Sequence, residues 1–95
     1  MAEFELVTLP RVYCDFNDRL DDVTYGLRVL GSRADLAKLP EPVQLGTRLT
    51  LYDYDGFDDG SPAWMLAEGV VVRLPSGDLA VEVDPESFRW EPRSE

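Results

Sequence analysis

The sequence contains no histidine and only one cysteine, and both shortages exclude chemistry. Without histidine there is no imidazole for general acid–base catalysis, for activating a nucleophile or for binding a metal. Cys14 alone cannot form an intrachain disulfide or a cysteine-rich zinc site. Because Cys14 alternates with Val12 and Phe16, we predict a buried thiol whose role is packing.

Basic residues and long apolar runs are also scarce. The chain has 19 acidic and 9 basic residues, a formal net charge of -10 and a pI near 4.2. This charge disfavours nucleic-acid phosphates and anionic membranes as direct partners and favours basic proteins or cations. No apolar run approaches the roughly 20 residues of a membrane-spanning helix, and the N-terminal MAEFELVTLP lacks the basic flank of a signal peptide. We therefore expect a cytosolic protein.

Most of the chain follows the period-two alternation of apolar and polar residues that is typical of β-strands. Pro10 marks a break or a sheet edge, and the next two strands look like a hairpin. Ser32 is placed to cap a short helix that ends before Pro40. Gly69 indicates a β-bulge. The strand patterns cover residues 4–6, 12–16, 23–29, 49–54, 64–74 and 79–83, and a helical turn is expected at 85–88.

These patterns predict one domain over residues 1–95, with an ordered core at about 3–90 and a frayed tail at 91–95. Five to six short antiparallel strands must curl to bury one face. The predicted fold is therefore mostly β, a small half-open barrel of SH3-like or OB-like type with one short helix. An α+β roll is the alternative, disfavoured because a single short helix cannot cover a flat sheet.

The acidic stretch LYDYDGFDDG, residues 51–60, resembles a calcium loop at first sight. A regular loop needs oxygen ligands at positions 1, 3, 5 and 12 and glycine at position 6, and neither Asp53 nor Asp55 starts a register that meets this requirement. What remains is a weak, irregular Ca²⁺ or Mg²⁺ site. Its candidate ligands are Asp53, Asp55, Asp58 and Asp59, with Asp21 and Asp22 as further contributors. The competing interpretation is that these aspartates form turns.

Residues 50–54, TLYDY, resemble the ALYDY strand that opens SH3 domains and lines their proline-peptide groove. The resemblance covers five residues, and two strands precede it where the family has none. Downstream, Trp64 and the turn DPESF stand where the family has a tryptophan pair and a Pro-x-Asn-Tyr turn. We interpret the likeness as a coincidence of pattern. A groove of that kind would place Tyr52, Tyr54, Trp64 and Trp90 on its floor.

No catalytic arrangement is recognisable. Adjacent carboxylates such as Asp21–Asp22 point to opposite faces of a strand or stay solvated in a loop, so we expect them to form no acid–base pair. The chain also lacks a glycine-rich phosphate loop and a nucleophile elbow. We predict that the protein is not an enzyme and has no cofactor.

The leading functional hypothesis is a non-catalytic module that binds a protein or peptide, most favourably a basic one. Its predicted surface consists of Tyr52, Tyr54, Trp64 and Trp90 with Asp21 and Asp22. An exposed edge strand near Pro10 is a second way to bind a partner, or another copy of the chain in a homodimer. Two alternatives stay open: an acidic decoy that neutralises a basic protein surface, and the weak Ca²⁺ or Mg²⁺ site.

Overall fold

The computed structural model describes residues 9–94. This part of the chain forms six strands, one α-helix and one 3₁₀ turn, which confirms the prediction of a mostly β fold with one short helix. The predicted strand at residues 4–6 lies outside the described residues. The elements are β1 Arg11–Tyr13, β2 Thr24–Gly26, α1 Leu30–Ala37, β3 Arg48–Gly56, β4 Pro62–Arg73, β5 Leu79–Val83, the 3₁₀ turn Pro85–Ser87 and β6 Arg89–Pro92.

The six strands form one mixed sheet in the order β1-β3-β4-β5-β2, and β6 pairs with the first part of β4. The expected hairpin between β1 and β2 is wrong, because β1 pairs with β3 and β2 pairs with β5. The expectation of antiparallel strands throughout is also wrong, since β1 and β3 are parallel. A parallel pair needs a crossover between its strands, and here the chain passes through β2 and α1 before it returns as β3.

The sheet does not close into a barrel through the strand pairs of residues 9–94, because β1 and β2, at the two ends of the order, form no ladder with each other. A backbone bridge from Arg19 to Tyr25 instead joins the loop after β1 to β2. The main hydrophobic core lies on one face of the sheet. Its buried members are Val12, Cys14, Leu27, Leu49, Leu51, Ala67, Val71, Val81 and Val83.

Cys14 is fully buried in this core, as its alternation with Val12 predicted. Burial is the main reason that the pKa of its thiol is raised to about 12, with nearby aspartates adding to the shift. The thiol is therefore protonated at neutral pH, which fits a packing role and not that of a nucleophile.

Ser32 and Gly69 have structural roles that differ from the helix cap and the β-bulge that the sequence predicted. Val29 is the N-cap of α1, whereas Ser32 lies inside the helix, is buried, and donates its hydroxyl to the carbonyl oxygen of Tyr13. Gly69 forms no bulge, because its register with β3 and β5 is uninterrupted. A Cβ at this position would lie 2.6 Å from the carbonyl oxygen of Glu82, so glycine permits a close approach of two backbones.

Strand β6 extends into the segment that the sequence analysis assigned to a frayed tail. Glu91 and Pro92, which were assigned to a frayed tail, lie in β6 and pair with Trp64 and Ala63 of β4. The 3₁₀ turn before β6 matches its prediction. The Asp84 side chain caps that turn by accepting a hydrogen bond from the backbone N–H of Glu86 at 2.9 Å.

Candidate functional site

The face of the sheet opposite the main core carries a cluster of aromatic side chains. Tyr52 and Tyr54 are two residues apart on β3 and therefore point to the same face. Trp64 on β4 lies directly across from Tyr54, and Tyr13 on β1 lies directly across from Tyr52. We call these four residues the aromatic cluster.

The rings of the aromatic cluster contact one another across the strands. Trp64 lies edge-on to Tyr52, with ring centroids 5.5 Å apart, and tilted against Tyr54 at 5.2 Å. Tyr13 is edge-on to Tyr52 at 5.7 Å. Such pairs stabilise each other by about 0.5–1.5 kcal/mol beyond their burial, so the rings hold one another in place. Tyr54 nevertheless leaves 59% of its surface exposed.

A cleft of about 300 Å³ opens on this cluster. Its walls are the rings of Tyr52, Tyr54 and Trp64, and its polar rim consists of Arg11 from β1 and Asp35 from α1. The cleft thus combines apolar ring faces with one group of each charge, which is the general composition of a recognition site. The sequence predicted the three aromatic members but not Arg11 or Asp35.

Asp35 fixes the position of the cluster relative to the helix. Its Oδ2 accepts a hydrogen bond from the Tyr52 hydroxyl at 2.6 Å and another from the backbone N–H of Tyr13 at 3.0 Å. Burial, followed by this hydrogen bond, raises the pKa of Tyr52. In the sequence Asp35 resembles a capping residue of a short helix, and only the fold shows that it faces β1 and β3.

Arg93 is a further residue at the aromatic cluster that the sequence did not predict. Its guanidinium carbon lies 5.1 Å from the ring centroid of Tyr54 and 5.4 Å from that of Trp64. Both distances are within the range of cation–π contacts. Arg93 follows β6 in the segment that was expected to be frayed, so nothing in its sequence context signalled this contact.

Trp90, which was predicted to join the other aromatics, lies on the opposite face of the sheet. It pairs with Met65, and Met65 neighbours Trp64 on β4 and so points the other way. Its indole Nε1 donates a hydrogen bond to Asp55 Oδ2 at 2.7 Å. Trp90 is therefore not part of the cleft, although 47% of its surface is exposed.

Asp21 and Asp22 are also outside the cleft. They precede β2, at the other end of the strand order from β1. Asp21 Oδ1 accepts hydrogen bonds from the backbone N–H groups of Val23 and Thr24, and the bonds to these two residues lower its pKa. Asp22 lies 3.6 Å from Arg19 in an exposed ion pair. Asp21 thus forms a turn, and Asp22 contributes only surface charge.

Each of the four aspartates proposed as metal ligands has its own separate surroundings. Asp53 accepts a hydrogen bond from the backbone N–H of Phe16 at 3.2 Å, and Asp55 accepts from Trp90. Asp59 accepts from the backbone and hydroxyl of Ser61, and these bonds lower its pKa. Asp58 is exposed. Within residues 9–94, no group of three or more carboxylates is arranged to hold a metal ion.

Each end of the strand order is partly covered by other segments of the chain. In β1, the outward N–H and C=O of Tyr13 are bound by Asp35 and Ser32 of α1. Beside β2, the N–H of Gly26 donates to the carbonyl oxygen of Asp18 at 3.0 Å. These contacts restrict strand addition at Tyr13 and at Gly26, and the predicted strand before Pro10 lies outside the described residues.

A larger depression of about 510 Å³ lies elsewhere, between α1 and the turn that joins β4 to β5. Arg28 in its wall already forms an ion pair with Asp18 at 2.7 Å. No aromatic residue lines this depression. We give the smaller aromatic cleft more weight because three aromatic residues line it and Tyr54 is largely exposed.

Comparison of the chain with protein-family models, with curated proteins and with solved structures found no significant match. The likeness of residues 50–54 to SH3 domains therefore rests on those five residues alone. Within residues 9–94, no helix is long and apolar enough to cross a membrane.

Proposed function

We propose that this protein is a non-catalytic interaction module that binds a segment of a partner protein in the aromatic cleft. The observation that carries the proposal is the exposed ring surface of Tyr54, which contacts the rings of Trp64 and Tyr13. Rigid aromatic rings lose little conformational entropy on binding, and they are frequent anchors of protein recognition.

The chemistry of the cleft favours a partner segment that is basic, apolar or both. The chain carries a net charge of -10, which attracts basic proteins at long range. At short range, ring faces accept the flat side of a proline or a guanidinium group. Cys14 is a free, buried thiol, a state that suits the reducing cytosol, where we place the protein.

The acidic decoy remains an alternative, and it predicts a different salt dependence. A decoy binds through dispersed surface charge, so its affinity falls steeply as salt screens that charge. Binding in an aromatic cleft depends mainly on ring contacts and persists at high salt. Asp21 and Asp59 are turn-forming residues, which gives each a structural reason to be present that does not involve a partner.

The test is a selection from a displayed peptide library, followed by affinity measurement at low and high salt. The informative variant is Tyr54→Ala, because this exposed ring contributes little to the core. The matched control is Trp90→Ala, which removes an exposed ring of the opposite face. We expect the first variant to weaken binding of the selected peptides at least 10-fold and the second to leave it within 2-fold.

Peptides that bind both variants equally would place the interaction elsewhere on the molecule. Binding that disappears at high salt would favour the acidic decoy. If the library yields no binder and sedimentation shows dimers instead, the cleft is not a peptide site and self-association becomes the better account.

A further inference from the structure

The aromatic cluster already holds a cation that belongs to the chain itself. Arg93 stacks its guanidinium against Tyr54 and Trp64 at 5.1 and 5.4 Å from the two ring centroids. The backbone N–H of Arg93 donates to the carbonyl oxygen of Pro62 at 3.1 Å, so its main chain extends the pairing of β6 with β4. Only the side chain would have to move for the rings to be uncovered.

Among residues 9–94, Arg93 contacts aromatic rings and forms no ion pair with a carboxylate. Its Nε is buried and has no hydrogen-bond partner among residues 9–94. The ion pairs of this part of the chain involve Arg11, Arg19, Arg28 and Arg89, and not Arg93. A buried donor without an acceptor destabilises the arrangement, so this contact is a poor candidate for a purely structural one.

We infer that Tyr54 and Trp64 form a guanidinium-binding site that Arg93 fills in the free protein and that an arginine of the partner segment fills in the complex. This inference rests on the proposed function and names the ligand class of the same site. When the partner's arginine occupies the rings, the Arg93 side chain is displaced into solvent, where water hydrates its Nε. Arg93 therefore acts as an internal competitor that lowers the apparent affinity.

The planar guanidinium is the group that this geometry selects. It stacks on aromatic faces and is more weakly hydrated than an ammonium group, so less is lost when it leaves water. Arg11 at the rim is held at 3.9 Å from Glu91 in an exposed ion pair and so does not repel the incoming cation with an unpaired charge. We expect a ligand arginine to bind more tightly than lysine.

The probe is the peptide acetyl-Pro-Pro-Arg-Pro-Pro-amide, compared with versions in which lysine or neutral citrulline replaces arginine. Binding is followed by the fluorescence of Trp64 in a Trp90→Phe background, which leaves one tryptophan. We expect the affinity order arginine, lysine, citrulline. The variants Arg93→Ala and Arg93→Gln should bind the arginine peptide roughly 2- to 5-fold more tightly than the parent protein does, because this factor corresponds to the loss of one exposed cation–π contact.

Arg89→Gln is the matched control, because Arg89 lies on β6 but pairs with Glu68 at 3.3 Å. It should leave the affinity unchanged. Equal affinity of the parent and both Arg93 variants, or equal binding of arginine and citrulline, would overturn the inference. If library-selected peptides still need Tyr54, the proposed function survives that result. If no peptide needs Tyr54, both fail.

Discussion

Replacing Asp35 with alanine should lower the free energy of unfolding by about 2–3 kcal/mol. This figure assigns about 1–1.5 kcal/mol to each of the two hydrogen bonds that the half-buried carboxylate accepts. The Tyr52 hydroxyl and the backbone N–H of Tyr13 would both lose their acceptor. The consequence reaches beyond stability, because the same two bonds connect α1 to the edge of β1 and to the aromatic cleft.

The measurement is urea unfolding followed by circular dichroism and tryptophan fluorescence, with the slope m checked for constancy. Asp35→Asn keeps one oxygen that can accept both hydrogen bonds but loses the negative charge, so it should cost about half as much as the alanine variant. Asp58→Ala is the control, since Asp58 is an exposed loop aspartate. Its effect should stay within about 0.5 kcal/mol.

A double-mutant cycle isolates the bond between the two side chains. Tyr52→Phe alone should cost about 1–1.5 kcal/mol, and much less once Asp35 is already alanine. We therefore expect a coupling energy of about 1 kcal/mol. A coupling energy near zero, with an alanine variant as stable as the parent, would refute the assignment of Asp35 as the residue that joins the helix to the cleft.

Three further predictions concern one cysteine, two glycines and two tyrosines. In the native state at pH 8, Cys14 should react with a disulfide reagent only as fast as the protein unfolds. The reason is that its thiol is buried and the pKa of the thiol is raised to about 12. Reaction within seconds would contradict this prediction. Gly69→Ala should destabilise the fold by about 2–3 kcal/mol, measured by urea unfolding, because a Cβ would lie 2.6 Å from a β5 carbonyl oxygen. Gly60 has a positive φ of 87° and open space around it, so Gly60→Ala should destabilise the fold by only about 1 kcal/mol. Equal destabilisation by the two glycine substitutions would refute the argument. Burial is the main reason that the pKa of Tyr13 is raised to about 12, and the pKa of Tyr52 shifts in the same direction. The stability that these two tyrosines contribute should therefore be fully present below pH 10 and fall as the pH rises toward 12. Alkaline unfolding that is unchanged in Tyr13→Phe and Tyr52→Phe would argue against this.

Local patterns were enough to predict the central strands. The alternation around Leu49 and Leu51, and that of Val81 and Val83, places apolar side chains on one face whatever the strands pair with. The free thiol of Cys14 and the helical turn after Asp84 follow from equally local signals. These elements are determined by neighbours along the chain.

The pairing of distant strands was not predictable in this way. Arg11 to Tyr13 could equally have joined a hairpin, and the parallel pair with β3 depends on where the chain returns after α1. The period-two pattern also cannot tell which face of the sheet Trp90 occupies. That is decided by its pairing with Met65 of β4, a register between strands far apart in sequence.

The candidate site was predicted in part for the same reason. Tyr52, Tyr54 and Trp64 stand on two consecutive strands, where hairpin pairing brings them together. Asp35 and Arg93 reach the same face from a helix and from the end of the chain. Their residue types are ordinary for a surface, and no local pattern distinguishes them from other charged residues.

The central claim is that the aromatic cleft binds the partner, and the two tryptophans provide the most direct test. In a ¹H–¹⁵N spectrum of labelled protein, Trp64 and Trp90 each give a separate indole N–H signal, one from each face of the sheet. Titration with a library-selected peptide should shift the Trp64 signal in proportion to binding and leave that of Trp90 unchanged. A shift of Trp90 alone, or of neither signal while binding is measured independently, would contradict the proposed site.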